Sequence, residues 1–396
     1  MRTDAGPPAV PASAVLAASA EVVVIGGGVI GASIAFHLAE AGVTDIVLVE
    51  RDALGSGSTC KAAGGVRAQF SDAVNIELGA RSLAAFGGFA ERTGQDIDLQ
   101  RVGYLFLLSD PADVRTFEAS VRLQNELGVP SRMIDPAEAA RLSPLIRTDG
   151  LLAAAYSPED GHCTPESVVQ GYAAAARRLG VRVLTGCEVV GIETAGGTIR
   201  SVLTTRGAIR TSTVVCAAGA WSAAIGEMVG SPLPVVPYRR QILFTEPVPS
   251  LPPGLPMTID FSTTFYFHGE GRGLLLGMSD PDEPAGFDLT LTDAWLPRLT
   301  AAMAARAPAL LDLGITSGWA GLYEVTPDHN GLIGEATGVS RFLYATGFSG
   351  HGFLQAPAVG EVIRDLVLGE TPFVDVSPLS VDRFAADRAR PEVNLV

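Results

Sequence analysis

The sequence contains no run of about 18 consecutive apolar residues, the length that a membrane-spanning helix requires. Basic residues are scarce as well, since 28 Lys and Arg stand against 43 Asp and Glu and give a net charge of −15. This balance disfavours nucleic acid and anionic membrane surfaces as partners. The four cysteines have neither CxxC nor zinc-ligand spacing, so we predict no metal site and expect reduced thiols in a cytoplasmic protein.

Apolar residues and glycine, by contrast, are abundant. Hydrophobic residues make up 47% of the 396 residues, which is enough for the core of a globular chain of roughly two domains. Residues 1–20 are rich in Ala, Pro and Ser, and their short apolar run is interrupted by Ser. This composition is typical of a disordered arm and not of a signal peptide. We therefore expect the organised chain to begin near residue 21.

The first organised segment has the pattern of a dinucleotide-binding βαβ unit. A β-branched run over residues 22–25 predicts a buried parallel strand. A helix is predicted from about Val29 to Ala41, with Gly42 as a suitable C-cap. A second strand, residues 45–49, then delivers an acid, Glu50. Strand, helix, strand and acid follow in the order that such a unit requires.

Three glycines occupy the turn between the first strand and the helix, in the pattern G-x-G-x-x-G. Gly26 permits the tight turn, Gly28 lets a pyrophosphate approach the backbone, and Gly31 lets the helix pack on the strand. The helix N-terminus then stabilises the phosphates, and Glu50 accepts hydrogen bonds from ribose hydroxyls. The fingerprint alone leaves FAD and NAD open as the dinucleotide.

The stretch STCKAAGGVRAQF, residues 58–70, favours a flavin. Most of its residues are small, and we expect an extended chain that passes under the ribityl group and beside the flavin ring, where larger side chains would collide. Arg67 follows two residues after the second glycine of this stretch. We therefore expect its side chain to emerge beside the ring.

Five blocks in chain order carry a family resemblance: GGGVIG with VERD, GSGSTCKAAGGVRAQFS, VVCAAGAWS at 214–222, LYEVTPDHNGLIG at 322–334 and YATGFSGHGFLQAPAVGE at 344–361. Together they resemble the D-amino-acid-oxidase-like FAD-dependent family, in the branch with sarcosine oxidase, dimethylglycine dehydrogenase and glycine oxidase. The resemblance covers nearly the whole chain after residue 20. It implies an α/β (α+β) fold in which a Rossmann-like FAD-binding domain of glutathione-reductase type is interleaved with an antiparallel-sheet substrate domain.

The implied domains are discontinuous in sequence. The FAD-binding domain is expected to comprise residues 21–90, 149–225 and 326–390, and the substrate-binding domain 91–148 and 226–325. A hairpin is predicted in the latter, with strands around 264–268 and 273–277. Near the C-terminus, a helix is expected to run to about Leu368 with Pro357 in its first turn, and its N-terminus would face the flavin.

The fingerprint and the resemblance together imply a cofactor site. Its N-terminal members are Gly26, Gly28, Val29, Ile30, Gly31, Glu50 and Arg51. The following loop and the later blocks contribute Ser58, Thr59, Lys61, Ala63, Gly64, Gly65, Val189, Gly219, Trp221, Gly350, Gly352, Phe353 and Leu354. Relatives that link FAD covalently use a histidine where this chain has Lys61, or a cysteine where it has Gly321. We therefore expect non-covalent FAD.

Five residues are candidates for catalysis: Arg67, His351, Tyr323, Tyr266 and His268. The arginine of sarcosine oxidase that matches Arg67 holds the substrate carboxylate, and a guanidinium fork suits that group. The alternative for Arg67 is a structural ion pair at the domain junction. His351 is either a donor to the cofactor or a loop residue packed for shape, and Tyr266 and His268 either line the pocket or fill the core.

Two departures from the family pattern concern charge. The usual second carboxylate anchor, a lysine, is replaced by Leu354, and the lysine that activates oxygen in monomeric sarcosine oxidase is replaced by Leu275. Slow reoxidation by air is expected unless another cation substitutes, the candidates being His268, Arg239 and Arg240. The paired arginines instead form a salt-bridged face if they are structural.

The expected function is FAD-dependent oxidation of the C–N bond of a carboxylate-bearing secondary or tertiary amine, such as sarcosine, dimethylglycine or a proline-like amino acid. Hydride transfer to flavin N5 would give an imine that water hydrolyses, with O₂ or an electron-transfer protein as acceptor. Two alternatives remain open: a glycine or D-amino-acid oxidase on the same fold, and a flavin-bearing subunit or assembly factor of a larger dehydrogenase. Homo- and hetero-oligomers are both compatible with the sequence.

Overall fold

Residues 18–395 are described by a computed structural model, which places nine α-helices and nineteen strands within that range. The helices are α1 (Val29–Glu40), α2 (Ala73–Gly87), α3 (Phe89–Thr93), α4 (Pro111–Glu126), α5 (Pro136–Leu142), α6 (Pro165–Arg178), α7 (Ser222–Met228), α8 (Leu296–Arg306) and α9 (Gly352–Leu368). Strands of the first half are β1 (Val22–Ile25), β2 (Ile46–Val49), β3 (Gly65–Val66), β4 (Tyr104–Leu108), β5 (Arg132–Ile134), β6 (Ala153–Ser157), β7 (Gly161–His162), β8 (Arg182–Leu184) and β9 (Val189–Ala195). The remaining strands are β10 (Thr198–Thr204), β11 (Gly207–Arg210), β12 (Thr213–Cys216), β13 (Val236–Thr245), β14 (Met257–Asp260), β15 (Phe265–Glu270), β16 (Gly273–Met278), β17 (Ile315–Val325), β18 (Leu332–Glu335) and β19 (Phe342–Thr346).

A six-stranded sheet forms the centre of one half of the molecule, with strand order β18-β19-β12-β1-β2-β8. All its neighbours pair in parallel except β18 and β19. The sequence of β1 is apolar throughout because both faces of the strand are buried. Val22 and Val24 pack in a cluster with α1, α6 and α9, whereas Val23 and Ile25 pack against the antiparallel sheet β11-β10-β9. The predicted Rossmann-like domain is confirmed.

Helices α1 and α9 pack closely against each other on this sheet. A Cβ atom at Gly360 would lie only 2.3 Å from the Ser33 hydroxyl oxygen, and that hydroxyl donates to the Ala356 carbonyl at 2.8 Å. Pro357 lies inside α9, beyond the first turn in which we expected it. Because proline has no N–H, its position costs α9 one intrahelical hydrogen bond.

A second sheet has eight strands in the order β17-β13-β16-β15-β14-β4-β6-β5. Its pairs are antiparallel except β14 with β4, and the predicted hairpin β15–β16 is confirmed. Strand β6, residues 153–157, pairs with β4 and β5 in this sheet. The boundary that we expected at residue 149 therefore falls too early, because this strand belongs to the antiparallel sheet.

The first described residues, 18–20, correct the expected extent of the disordered arm. Ser19 forms a β-bridge with Arg210. Ala20 is buried, and its amide donates to the Arg210 carbonyl at 2.9 Å. Residues 1–17, the rest of that predicted arm, lie outside the described residues. None of the helices within 18–395 combines the length and apolar character needed to cross a bilayer.

Candidate active site

One cavity, with a volume of about 500 Å³, lies between the two large sheets. The predicted cofactor residues all line it except Gly31, and the catalytic candidates all line it except His268. Segments that are far apart in the sequence, from β1 to α9, therefore converge on one place. Gly31 and His268 lie outside the cavity for different physical reasons.

The glycine-rich turn after β1 is tightly constrained by its neighbours. Gly26 has a φ of +111°, and a Cβ atom there would lie 2.2 Å from the Ala217 carbonyl oxygen. A Cβ atom at Gly31 would lie 1.9 Å from the Gly26 carbonyl oxygen, so Gly31 faces the turn and not the cavity. Gly28 lines the cavity itself. Since the first amides of a helix have no intrahelical acceptors, the N-terminus of α1 suits a pyrophosphate.

Glu50 is fixed at the end of β2 by backbone donors. The Gly27 amide donates to one carboxylate oxygen at 2.7 Å, and the Asp52 amide donates to the other at 2.8 Å. A carboxylate has about four acceptor sites, so two remain for further donors. Glu50 lines the cavity in this orientation, which suits the ribose hydroxyls of a dinucleotide.

The loop after β2 is more compact than the extended chain that we expected. Thr59–Lys61 form a 3-10 turn, and Gly65 and Val66 form the short strand β3. Neighbouring protein atoms leave no room for side chains at Gly64 and Gly65. A Cβ atom at Gly64 would lie 2.3 Å from the Cys163 carbonyl oxygen, and one at Gly65 would lie 2.1 Å from the Tyr104 hydroxyl oxygen. Protein atoms therefore account for these two glycines.

Arg67 is 3% exposed and lines the cavity. Its guanidinium donates to the Gln69 carbonyl and, at 2.8 Å, to the Asn394 carbonyl, and it stacks 4.2 Å from the ring centre of Phe70. None of the salt bridges among residues 18–395 includes Arg67, so the alternative of a structural ion pair has no support within that range. The two carbonyl bonds leave further N–H groups of the fork for a ligand.

Asp160 is a buried acid close to Arg67. Burial raises the pKa of its carboxyl group to about 7, against the opposing effects of the Ala68 amide, which donates to it at 3.1 Å, and of the Arg67 charge. Its second oxygen has no hydrogen-bond partner within the described chain. A protonated carboxyl supplies a donor there, which an ionised one does not.

We expect Asp160→Asn to stabilise the protein increasingly as the pH rises from 5 to 7. In the unfolded chain an aspartate ionises near its usual pKa of about 3.9, whereas in the folded chain the pKa of Asp160 is about 7. The folded state therefore loses stability across this window, and a neutral asparagine does not. Parallel thermal unfolding at several pH values measures the difference. A difference in melting temperature that shrinks as the pH rises would contradict the assignment.

His351 and Tyr323 lie beside Arg67 at the same end of the cavity. His351 is buried, with its ring centre 5.0 Å from that of Phe70, and burial together with the Arg67 charge holds its pKa well below the usual range. The imidazole is therefore neutral at physiological pH. Burial raises the pKa of the Tyr323 hydroxyl. A Cβ atom at Gly350 would lie 2.5 Å from the Tyr323 ring, so this ring and the glycine define each other's position.

His268 does not line the cavity, which corrects its place among the catalytic candidates. Its two ring nitrogens lie 2.8 Å from the Gly269 carbonyl and 3.0 Å from the Ala63 carbonyl, and its ring packs 4.3 Å from that of His162. The side chain thus supports the loop that carries Ala63. Ligand-type atoms of His162, His268 and Glu270 lie within 4.8 Å of one another, but both His268 nitrogens already face carbonyl groups, and we assign no metal there.

The cations proposed to compensate for Leu275 are placed differently from one another. Arg239 is paired with Glu283 at 3.0 Å and with Asp288 at 2.9 Å and does not line the cavity, whereas Arg240 does. Leu275 belongs to the apolar cluster behind the cavity wall and does not line it. Of His268, Arg239 and Arg240, only Arg240 is therefore placed to act on a ligand.

Tyr104 and Glu324 are among the cavity-lining residues that sequence reasoning missed. Glu324 accepts hydrogen bonds from the Gly347 amide at 3.1 Å and from the Thr346 hydroxyl at 3.0 Å, and burial raises its pKa. It lies within the block LYEVTPDHNGLIG, one of the five that carry the family resemblance, and this position was the available signal. Tyr104 had no local signal, since the pairing of β4 with β6 and β14 brings it to the cavity.

The residues present fit an FAD molecule, because the dinucleotide turn, the fixed Glu50 and a continuous cavity reaching α9 occur together. Comparisons with known proteins agree. The family described as FAD dependent oxidoreductase (DAO) matches residues 21–366. Mitochondrial dimethylglycine dehydrogenase of Rattus norvegicus is 32% identical over 386 residues, which cover 92% of this chain and 45% of that protein. The chain thus spans about half the length of this curated relative.

Two solved structures extend the comparison to three dimensions. L-proline dehydrogenase from P. horikoshii is 35% identical with a TM-score of 0.89, and the match covers 95% of this chain and 100% of that one. Glycine oxidase from Geobacillus kaustophilus is 27% identical with a TM-score of 0.82, covering 92% of this chain and 99% of that one. The chain therefore belongs to the DAO family of FAD-dependent oxidoreductases.

Proposed function

We propose that this chain oxidises the C–N bond of a carboxylate-bearing secondary or tertiary amine, such as an N-methyl or cyclic amino acid. The observation that carries the proposal is Arg67, a buried guanidinium that opens into the cavity and has only backbone carbonyls as hydrogen-bond acceptors in the described chain. A buried charge without a counter-ion is costly. A substrate carboxylate supplies that counter-ion and accepts from the fork in a fixed orientation.

The remaining residues of this end suit a neutral amine. Met257 and Ile259 give the wall an apolar surface, and His351 is held neutral by burial and by Arg67. An apolar wall disfavours an ammonium group, so the site selects the neutral form of the amine, whose proton is left with bulk water, while the carboxylate stays ionised. FAD would supply the two-electron oxidant for this amine, and water would hydrolyse the resulting imine, or the iminium ion in the case of a tertiary amine; O₂ or an electron-transfer partner would then accept the electrons. The chain's part is position and field.

The relatives support the substituted amine and also keep a second candidate. Dimethylglycine dehydrogenase and L-proline dehydrogenase act, by their names, on a tertiary and a cyclic amine. The likeness to glycine oxidase favours the alternative of a primary amino acid. Turnover of the holoenzyme with sarcosine, dimethylglycine and proline, compared with glycine and D-alanine, separates the two. We expect higher kcat/KM for the substituted amines, and a preference for the primary ones would establish the alternative.

We expect FAD to be bound without a covalent link. The two positions that carry attachment residues in relatives are adjacent here, since a Cβ atom at Gly321 would lie 2.6 Å from that of Lys61, and neither residue is a histidine or cysteine. Acid precipitation of the purified holoenzyme should therefore leave a colourless pellet and a yellow supernatant. A pellet that keeps the flavin absorbance after washing would contradict this.

A further inference from the structure

Arg240 is a cation of the cavity that has no counter-ion among residues 18–395. It lies in β13, is half-buried, and lines the cavity. Its Nη1 donates to the Arg239 carbonyl at 2.8 Å, and its Nε is fully buried in the protein. Because Nε does not face the cavity, the guanidinium reaches a ligand through its terminal nitrogens, which can donate to a carboxylate. The charge of Arg240 is thus left for a ligand to neutralise.

The neighbour in the sequence shows that this arrangement is not a general property of the strand. Side chains of successive strand residues point to opposite faces, and Arg239 meets Glu283 at 3.0 Å and Asp288 at 2.9 Å on the face away from the cavity. One arginine of the pair is therefore neutralised by the protein, whereas the other is held at a cavity wall without an acid. Holding such a charge partly out of water is costly unless an anion joins it.

Tyr323 lies near both Arg240 and Arg67. The Arg240 guanidinium carbon is 5.2 Å from the centre of the Tyr323 ring, and the charges of both arginines act on the pKa of the Tyr323 hydroxyl, lowering it against the effect of burial. Glu324, which follows Tyr323 in the sequence, accepts from the Gly347 amide and the Thr346 hydroxyl through Oε2 and forms no salt bridge with Arg240 among residues 18–395. This end of the cavity therefore presents two separate positive groups.

We propose that Arg240 binds a second acidic group of the substrate, so that the amine oxidised by this chain is an N-substituted amino dicarboxylic acid. The inference rests on the proposed function, because Arg67 there takes the first carboxylate. One carboxylate at Arg67 leaves Arg240 uncompensated, whereas a second carboxylate at the terminal nitrogens of Arg240 neutralises it. A net charge of −2 on the acid groups matches the two guanidinium groups.

The test uses the FAD-loaded protein and two ligand series. The reacting pair is N-methylglycine and N-methylaspartate, which differ in the second carboxylate, and the inert pair is acetate and succinate, whose binding is followed by the change in flavin absorbance. The variants are Arg240→Gln, Arg240→Lys as the conservative change, and Arg239→Gln as the matched control on the opposite face. Melting temperature and FAD content are measured for each.

We expect Arg240→Gln to lower kcat/KM for N-methylaspartate by about 10²-fold, mainly through KM, as for a lost charge contact. N-methylglycine should change by less than about 3-fold, Arg240→Lys should lie between the two extremes, and Arg239→Gln should not alter the ratio. Succinate should bind more tightly than acetate to the wild type and to Arg239→Gln, but not to Arg240→Gln. Equal losses for both amines would mean that Arg240 shares the first carboxylate, and no loss for either would mean that it contacts no substrate; both results overturn the proposal.

The inert pair separates this proposal from the proposed function. If no amine reduces the flavin but succinate binding still depends on Arg240, the reaction is wrongly assigned and the second anion site stands. If amines reduce the flavin and succinate binding is the same in Arg240→Gln as in the wild type, the reaction stands and the second anion site is wrong.

Discussion

Arg67→Ala is expected to lower kcat/KM for an amino-acid substrate by ~10²–10³-fold, the effect of removing one partner of a buried charge pair worth about 2–5 kcal/mol. Arg67→Lys should lose less, because it keeps the charge but not the two parallel donors. The Arg67 guanidinium also donates to the Gln69 and Asn394 carbonyls. Part of the loss will therefore come from a less ordered wall, and steady-state kinetics of both variants measures the sum.

The preference for a carboxylate-bearing substrate separates a binding role of Arg67 from structural damage, because damage alone would not change this preference. In the wild type, sarcosine should be a far better substrate than dimethylamine, which lacks the carboxylate, and in Arg67→Ala this ratio should fall towards one. FAD content and melting temperature serve as controls for folding. If the ratio is the same in both proteins, Arg67 does not hold the carboxylate.

Gly31→Val is expected to release FAD although Gly31 does not line the cavity. Even the first carbon of the new side chain would lie 1.9 Å from the Gly26 carbonyl oxygen, a contact that forces the turn between β1 and α1 to move. Overpacking of this kind costs about 1–3 kcal/mol. Since the same turn must hold the pyrophosphate, we expect FAD affinity to fall by about 10–100-fold, measured by titration of the apoprotein with FAD.

The matched control is Gly88→Ala, because Gly88 has a φ of −101° and a Cβ atom there would meet nothing within 4 Å. We expect it to bind FAD as the wild type does. Gly31→Val with wild-type FAD affinity would show that this helix does not need its close approach to β1, and would remove the physical argument for the third glycine of the fingerprint.

The cofactor half of the site was predictable because its signals are local. The turn around Gly26, the acid Glu50 and the small residues near Gly64 stand within one stretch of chain, and each type of residue answers a steric or hydrogen-bonding demand of that stretch. The hairpin β15–β16 was readable for the same reason, from alternation and a glycine-rich turn.

The substrate half was less predictable because pairing between distant strands decides which side chains reach the cavity. Arg239 and Arg240 are indistinguishable in the sequence, and only the orientation of β13 sends one to the cavity and the other to its acids. Histidine is a common catalytic residue type, but strand β15 places both ring nitrogens of His268 within hydrogen-bond distance of backbone carbonyl oxygens. Nothing in the sequence near Arg67 indicated that Asn394 would contact it from the end of the described chain.

The most direct test of the central claim is an anaerobic titration of the FAD-loaded wild-type protein with carboxylate-bearing amines, each paired with the same amine lacking the carboxylate. Sarcosine with dimethylamine, proline with pyrrolidine, and N-methylaspartate with N-methylethylamine cover the proposed class. We predict complete loss of the oxidised flavin absorbance with at least one carboxylate-bearing member and much slower loss with its partner. Equal rates of flavin reduction within every pair, or no reduction by any carboxylate-bearing amine, would contradict the account.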